Sequence, residues 1–211
     1  MQGLYLVTDR GWCGRRSVEE VVEMAVRGGV AYVQLREKEL PTRLFVEEAI
    51  RIKKLLTSLG VPLIINDRLD VALAVGAEGI HVGQDDIPYE IARKLLGPKA
   101  IIGLSVETWE DVKRAQALDC DYLGISPVFA TPTKADTKAA WGIEGIARIR
   151  AYSRHSLVAI GSLHAGNAAD AVRAGADTLA VVSAICAATD PEEASREING
   201  IIRGTLARKK I

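Results

Sequence analysis

Gln34, Arg36 and Lys38 stand two residues apart at the end of a short apolar run, Val30-Ala31-Tyr32-Val33. Such a run reads as a strand, and strand side chains alternate faces. The amide and both cations therefore share one face, with Leu35 and Glu37 on the other. Two cations and an amide aimed into one concave space are costly unless an anion meets them there. A solvated strand end is the plain alternative. The rest of the chain favours a site for a phosphorylated substrate.

Asp67 and Asp86 are candidate metal ligands, because each follows a short apolar run and Asn66 adds an amide beside them. Two carboxylates with an amide suit a hard cation such as Mg²⁺, which leaves its other positions to water and substrate phosphate. Ion pairing with Arg36 or Lys38 is the competing use of these acids, and Asp67 could equally cap the following helix. Asp85 reads as a surface or capping residue and His81 as a packed strand-end histidine. Three histidines without ligand spacing argue against zinc. Ile160-Gly161-Ser162 and Val181-Val182-Ser183 suggest a second anion site built from backbone N–H groups. With Arg36, Lys38 and Lys134, this implies room for two anionic groups, one metal-bound and one cradled by backbone.

The elements that position these residues alternate regularly. Short β-rich runs fall near Leu4–Thr8, Ala31–Leu35, Pro62–Asn66, Gly79–Val82, Ala100–Leu104, Tyr122–Ile125, Leu157–Ile160 and Thr178–Val182. Helical stretches follow each, those after the third and seventh runs looking short. Ser17 with Glu20, Thr108 with Asp111, and Asp190 with Glu193 have the spacing of N-cap and N3 pairs, and Pro191 suits N1. Gly29-Val30-Ala31-Tyr32, Gly76-Ala77-Glu78-Gly79, Asp119-Cys120-Asp121-Tyr122 and Gly175-Ala176-Asp177-Thr178 precede the even-numbered runs as a weak internal repeat. Eight such units predict an α/β fold, a (β/α)8 TIM barrel with residues 1–211 as a single domain. An open doubly wound sheet competes, but no G-x-G-x-x-G turn follows the first run. Active sites of such barrels lie at the C-terminal strand ends, where Thr8-Asp9, Asn66-Asp67, Ser105, Ser126, Gly161-Ser162 and Ser183 all fall.

Bulk composition narrows the function. The chain has 211 residues, 48% hydrophobic and 26% charged, with 27 Lys plus Arg against 27 Asp plus Glu. A net charge of zero argues against nucleic acid or a membrane surface as partner, so any anion site is local. Cys13, Cys120 and Cys186 are scattered and read as reduced packing thiols of a cytoplasmic protein. No signal peptide or membrane span is visible in the sequence.

At this point the residues resemble the thiamine phosphate synthase family. The resemblance runs from Tyr5-Leu6-Val7-Thr8-Asp9 to Val181-Val182-Ser183-Ala184-Ile185. Its specific parts are Gln34-Leu35-Arg36-Glu37-Lys38, Ile65-Asn66-Asp67-Arg68, His81-Val82-Gly83-Gln84-Asp85-Asp86 and Pro127-Val128-Phe129-Ala130-Thr131-Pro132-Thr133-Lys134. Each is weak alone; four in order on an eight-unit pattern are not. The resemblance implies an enzyme that joins hydroxymethylpyrimidine diphosphate to hydroxyethylthiazole phosphate, plain or carboxylated, and releases pyrophosphate. It implies that Gln34, Arg36 and Lys38 hold the diphosphate, with Asn66, Ser105 and Lys134 assisting. Arg36, Lys38, Lys134 and Ser105 then act on the departing anion, while Asp67 and Asp86 bind Mg²⁺. Thr131, Thr133, Val182 and Ser183 are implied to hold the thiazole phosphate. Leu35, Glu37 and Pro132 join the binding set as members of the same motifs, and Ser162 joins it through the turn after strand seven.

One departure stands out. The family usually has two glycines after strand seven, where this chain has Gly161-Ser162. The extra Cβ either crowds the thiazole phosphate or its hydroxyl adds a hydrogen bond to it. A thiazole tautomerase-like barrel would not need Asn66, Asp67, Asp86 and Lys134. A sugar-phosphate isomerase would need an evident acid–base pair, and a non-catalytic phosphate-ligand-binding barrel would bind without turnover. No extra domain for pyrimidine phosphorylation is visible, which predicts a monofunctional enzyme, and the sequence leaves a homo-oligomer open.

Overall fold

In the computed structural model the chain forms a closed barrel of eight parallel strands in sequence order, β8 pairing with β1. The structure describes residues 1–130 and 139–208. The strands are β1 (Gly3–Val7), β2 (Val30–Leu35), β3 (Leu63–Asn66), β4 (Gly79–Val82), β5 (Ile101–Val106), β6 (Tyr122–Ile125), β7 (Ser156–Ile160) and β8 (Thr178–Val181). Around them run α1 (Val18–Arg27), α2 (Thr42–Leu59), α3 (Leu69–Val75), α4 (Tyr89–Leu96), α5 (Trp109–Ala115), α6 (Gly142–Tyr152), α7 (Ala165–Ala174), α8 (Ser183–Cys186) and α9 (Pro191–Arg208). A short 3₁₀ turn, Arg10–Trp12, follows β1. No helix among the described residues is long and apolar enough to cross a membrane.

Strand alternation divides the core in two. Leu4, Leu6, Val33, Leu35, Leu63 and Ile65 face outward and pack under the helices. Tyr5, Val7, Ile64, Tyr122, Val158 and Ala180 face inward and fill the barrel. Local signals start the helices as expected. Ser17–Glu20 and Thr108–Asp111 form complete capping boxes. Asp190 accepts the N–H groups of Glu192 and Glu193, but the Glu193 side chain turns instead to Arg196. A further capping box, His164 with Asn167, opens α7. That helix spans 10 residues and is longer than the 7-residue α5, so the expected shortness after strand seven is corrected; α3, also 7 residues, is short as expected.

The internal repeat has a mechanical meaning. Gly76 and Gly175 end α3 and α7 in the left-handed conformation that favours glycine. In three of the four copies the third residue is an acid that accepts a backbone N–H at the start of an adjacent strand. Glu78 takes Leu63 N–H at 2.9 Å, Asp121 takes Ile102 N–H at 2.8 Å, and Asp177 takes Leu157 N–H at 2.8 Å. Each acid also pairs with a helix cation, Lys53, Arg93 or Arg150. These staples close the N-terminal end of the barrel and leave the opposite end for chemistry.

Candidate active site

A cavity of about 740 Å³ opens at the C-terminal strand ends, a size typical of small-molecule sites. Gln34, Arg36 and Lys38 all line it, the side expected of them. Leu35 and Glu37 do not. Leu35 is fully buried in the outer core and Glu37 turns back to Arg10, so these two members of the expected binding set lie on the face away from the cavity. Asn66, Asp67, Asp86 and Ser105 form the adjoining wall, while Ser162, Val182 and Ser183 lie on the wall made by β7 and β8. Thr131, Pro132, Thr133 and Lys134 lie outside the described residues.

Each polar side chain has a defined support. Gln34, 5% exposed, donates to Tyr5 Oη at 3.0 Å. Arg36 Nη1 pairs with Asp9 Oδ2 at 2.8 Å, and its backbone N–H donates to Thr8 Oγ1 at 3.0 Å. Lys38 Nζ pairs with Asp67 Oδ2 at 2.6 Å. Asp67 does not cap α3; it meets Lys38 on one side and Asp86 on the other. Asp86 accepts Gly83 N–H at 2.7 Å. Burial raises the Asp67 carboxyl, but the hydrogen bonds from Lys38 and Asp86 outweigh it and hold it below the usual carboxylate range. Burial lifts Asp86 above that range; the Gly83 N–H opposes the lift and Asp67 adds to it. Two carboxylates in contact call for a cation between or beside them. A divalent ion with two carboxylates and otherwise water or phosphate ligands fits this donor set.

The barrel interior holds a chain of hydrogen bonds that local sequence patterns did not reveal. It runs from Gln34 through Tyr5 Oη to Tyr122 Oη at 3.1 Å, on to His81 Nδ1 at 3.0 Å, and from His81 Nε2 to Ser105 Oγ at 2.9 Å. Because Gln34 Nε2 can only donate, a chain in which each hydroxyl accepts one bond and donates the next gives Tyr122 as donor to Nδ1. His81 then carries its proton on Nε2 and donates to Ser105, leaving the Ser105 proton to point at a ligand. Burial pushes both phenols well above the ordinary tyrosine value, so both remain protonated donors. The His81 ring also stacks on Tyr122 with centroids 5.5 Å apart, as expected of a packed histidine. Two strand glycines make this possible. A Cβ on Gly103 would lie 2.0 Å from Tyr122 Cζ, and one on Gly124 would lie 2.9 Å from His81 Cε1. Glycine inside a strand was the available sequence signal.

On the opposite wall, Gly161 has φ +117°, and a Cβ there would meet Pro127 Cβ and Val128 N at 2.9 Å. Glycine thus lets the β7–α7 and β6–α6 loops touch. Ser162, with φ +48°, donates through Oγ to the carbonyl of Ala130 at 2.6 Å. In this geometry its hydroxyl proton is committed to backbone, so the hydroxyl's expected bond to the thiazole phosphate gives way to a bond between loops. Ser162→Ala should then destabilise the fold by about 1 kcal/mol, because the hydrogen bond is lost and the left-handed strain stays. Ser162→Gly should be near neutral, since relief of that strain offsets the lost bond. Urea unfolding midpoints of the two variants check this, and an unchanged Ser162→Ala midpoint would contradict it. Across from this turn, Ser183 opens α8, and the first N–H groups of a helix lack partners within it.

Comparison with known proteins agrees with this geometry. The thiamine monophosphate synthase family profile matches residues 4–185. The thiamine-phosphate synthase of Albidiferax ferrireducens is 55% identical over 199 residues, covering 94% of this chain and 91% of that protein. That of Leptospira biflexa is 51% identical, covering 92% and 95%. The structure of thiamine phosphate pyrophosphorylase from Pyrococcus furiosus superposes with a TM-score of 0.89 at 35% identity, covering 97% of each chain. A 3-hexulose-6-phosphate synthase, 19% identical with a TM-score of 0.70, shares the fold. With a matching profile, full-length relatives and a superposable barrel, this chain belongs to the thiamine-phosphate synthase family, transferases of thiamine biosynthesis.

Proposed function

We propose that the cavity holds hydroxymethylpyrimidine diphosphate against the β2–β5 wall and hydroxyethylthiazole phosphate against the β7–β8 wall, and joins them. The observation that carries this is the two-sided charge layout. Arg36, Lys38, Asp67 and Asp86 gather on one wall, and the Gly161 turn and the start of α8 form the other.

In the reaction, the bond from the pyrimidine methylene carbon to the diphosphate oxygen breaks, and its electron pair leaves with pyrophosphate. The electron-rich aminopyrimidine carries the resulting positive charge until the thiazole nitrogen donates its lone pair to that carbon. Pyrophosphate is a poor leaving group until its charge is met. Asp67 and Asp86 would hold Mg²⁺, which would supply part of that neutralisation. Arg36 and Lys38 supply the rest at the terminal oxygens, Lys38 exchanging Asp67 for substrate. Ser105, oriented by His81, donates a hydrogen bond to the substrate, and Gln34 and Asn66 fix the substrate's position. Lys134 is assigned to the same anion by the family resemblance. No protein nucleophile or general base is required; the chain positions two substrates and stabilises a departing anion.

The test is a product assay with purified protein and both substrates. Thiamine phosphate and pyrophosphate should accumulate with Mg²⁺ and cease with chelator. Arg36→Ala should raise KM for the diphosphate by at least ~10-fold and leave KM for thiazole phosphate within ~2-fold, because a charge-assisted contact is lost on one substrate only. Equal effects on the two would mean that the substrates are placed the wrong way round.

A further inference from the structure

Glu37 stands between the two cavity-facing cations and faces the other way. Strand β2 ends at Leu35, so the ladder no longer fixes which side chains of residues 36–38 point inward. Something else must. The Glu37 side chain is 4% exposed, and its Oε1 accepts from Arg10 Nη2 at 3.2 Å. The same Nη2 donates to Glu48 Oε1 of α2 at 2.6 Å. Glu48 is 5% exposed, and its Oε2 has no partner among the described residues. Arg10 is therefore the shared cation of two buried acids, although 48% of its own side chain is exposed. Burial, then the charge of Glu48, pushes the Glu37 carboxyl up to about 6 despite Arg10.

This is a poor arrangement for stability. Two acids are desolvated against one half-exposed guanidinium, and buried ionic groups of this kind are weak stabilisers. It is a good arrangement for orientation. Thr8 and Asp9, the residues just before Arg10, bind the backbone and guanidinium of Arg36. The segment just after β1 thus grips residues 36 and 37 from both faces. Neither Arg10 nor Glu48 lines the cavity.

We propose that Glu37 is a positioning residue: clamped by Arg10 against Glu48, it holds residues 36–38 so that Arg36 and Lys38 both face the pyrimidine diphosphate. The inference rests on the reading that these two cations bind that substrate. It assigns Glu37 a function without substrate contact.

Steady-state kinetics on the full chain test it with four variants. Glu37→Ala and Arg10→Gln should each raise KM for the pyrimidine diphosphate ~10-fold, with kcat and KM for thiazole phosphate within ~2-fold, because preorganisation is lost on one wall only. Glu37→Gln, whose amide oxygen still accepts from Arg10, should stay within ~3-fold of the parent in the same constants. Arg36→Ala tests the underlying reading. A diphosphate-selective loss in Arg36→Ala, with none in Glu37→Ala or Arg10→Gln, overturns the clamp alone. No selective loss in Arg36→Ala overturns the substrate placement and the clamp with it. A rise in both KM values for the clamp variants marks general damage and also overturns the clamp. If Glu37→Ala fails to fold, Arg10→Gln decides, since Arg10 is half exposed.

Discussion

Asp67→Asn and Asp86→Asn should each lower kcat/KM by about 100-fold or more, and each should weaken Mg²⁺ binding measured by calorimetry in the presence of the pyrimidine diphosphate. The size follows from what is removed. The two carboxylates touch, and Lys38 meets only one of them. In the proposed reaction a departing pyrophosphate would bring further negative charge to the same wall, more than Arg36 and Lys38 neutralise alone. Asparagine is the informative replacement at position 67. Asp67 has φ +60°, in the left-handed region that asparagine tolerates and alanine does not, so Asn removes charge while keeping the turn. That turn is tight: Asp67 N–H reaches His81 O at 2.8 Å, and Arg68 N–H reaches Asn66 O at 2.7 Å. Full Mg²⁺-dependent turnover in both variants would remove the metal assignment. Loss of turnover accompanied by a large fall in unfolding midpoint would assign the acids to the fold instead.

How much of this could be read from residues alone depended on the range of the interaction. Alternation read from neighbouring residues separated Gln34, Arg36 and Lys38 from Leu35 and Glu37 as the cavity lining does, although β2 itself ends at Leu35. Family motifs then swept Leu35 and Glu37 into the binding set, since a motif records identity and not direction. The capping boxes at Ser17 and Thr108 were legible for the same local reason. The interior chain was not, because Tyr5 and Tyr122 are 117 positions apart and meet only when the barrel closes. Ser162 shows the same limit. Its partner is the carbonyl of Ala130, and no spacing rule reports a backbone oxygen 32 positions away. Cys13 and Cys186 read as scattered, yet they are brought near each other, because β8 pairs with β1 and sets α8 beside the Arg10–Trp12 turn.

Gly103→Ala should destabilise the protein by about 3 kcal/mol and cut kcat/KM by at least ~10-fold in the fraction that stays folded. The methyl is small, but its site is occupied. Tyr122 crosses over β5 at its register partner Gly103, and a Cβ there would lie 2.0 Å from Cζ and 2.4 Å from Oη. The ring has nowhere to go. Tyr122 is fully buried, its hydroxyl is held by Tyr5 and His81, and the His81 ring stacks on one face. Any shift large enough to clear the methyl breaks the chain that orients Ser105, so stability and activity should fall together. Gly200→Ala supplies the control. That glycine is exposed in α9, with nothing within 4 Å of a new Cβ, and alanine there should be neutral or stabilising by up to about 1 kcal/mol. Urea unfolding and steady-state kinetics on both variants decide the matter. If Gly103→Ala is as benign as Gly200→Ala, the Tyr122 ring does not lie over β5. If it unfolds the protein less than expected but still abolishes turnover, the interior chain matters more to Ser105 than to the barrel.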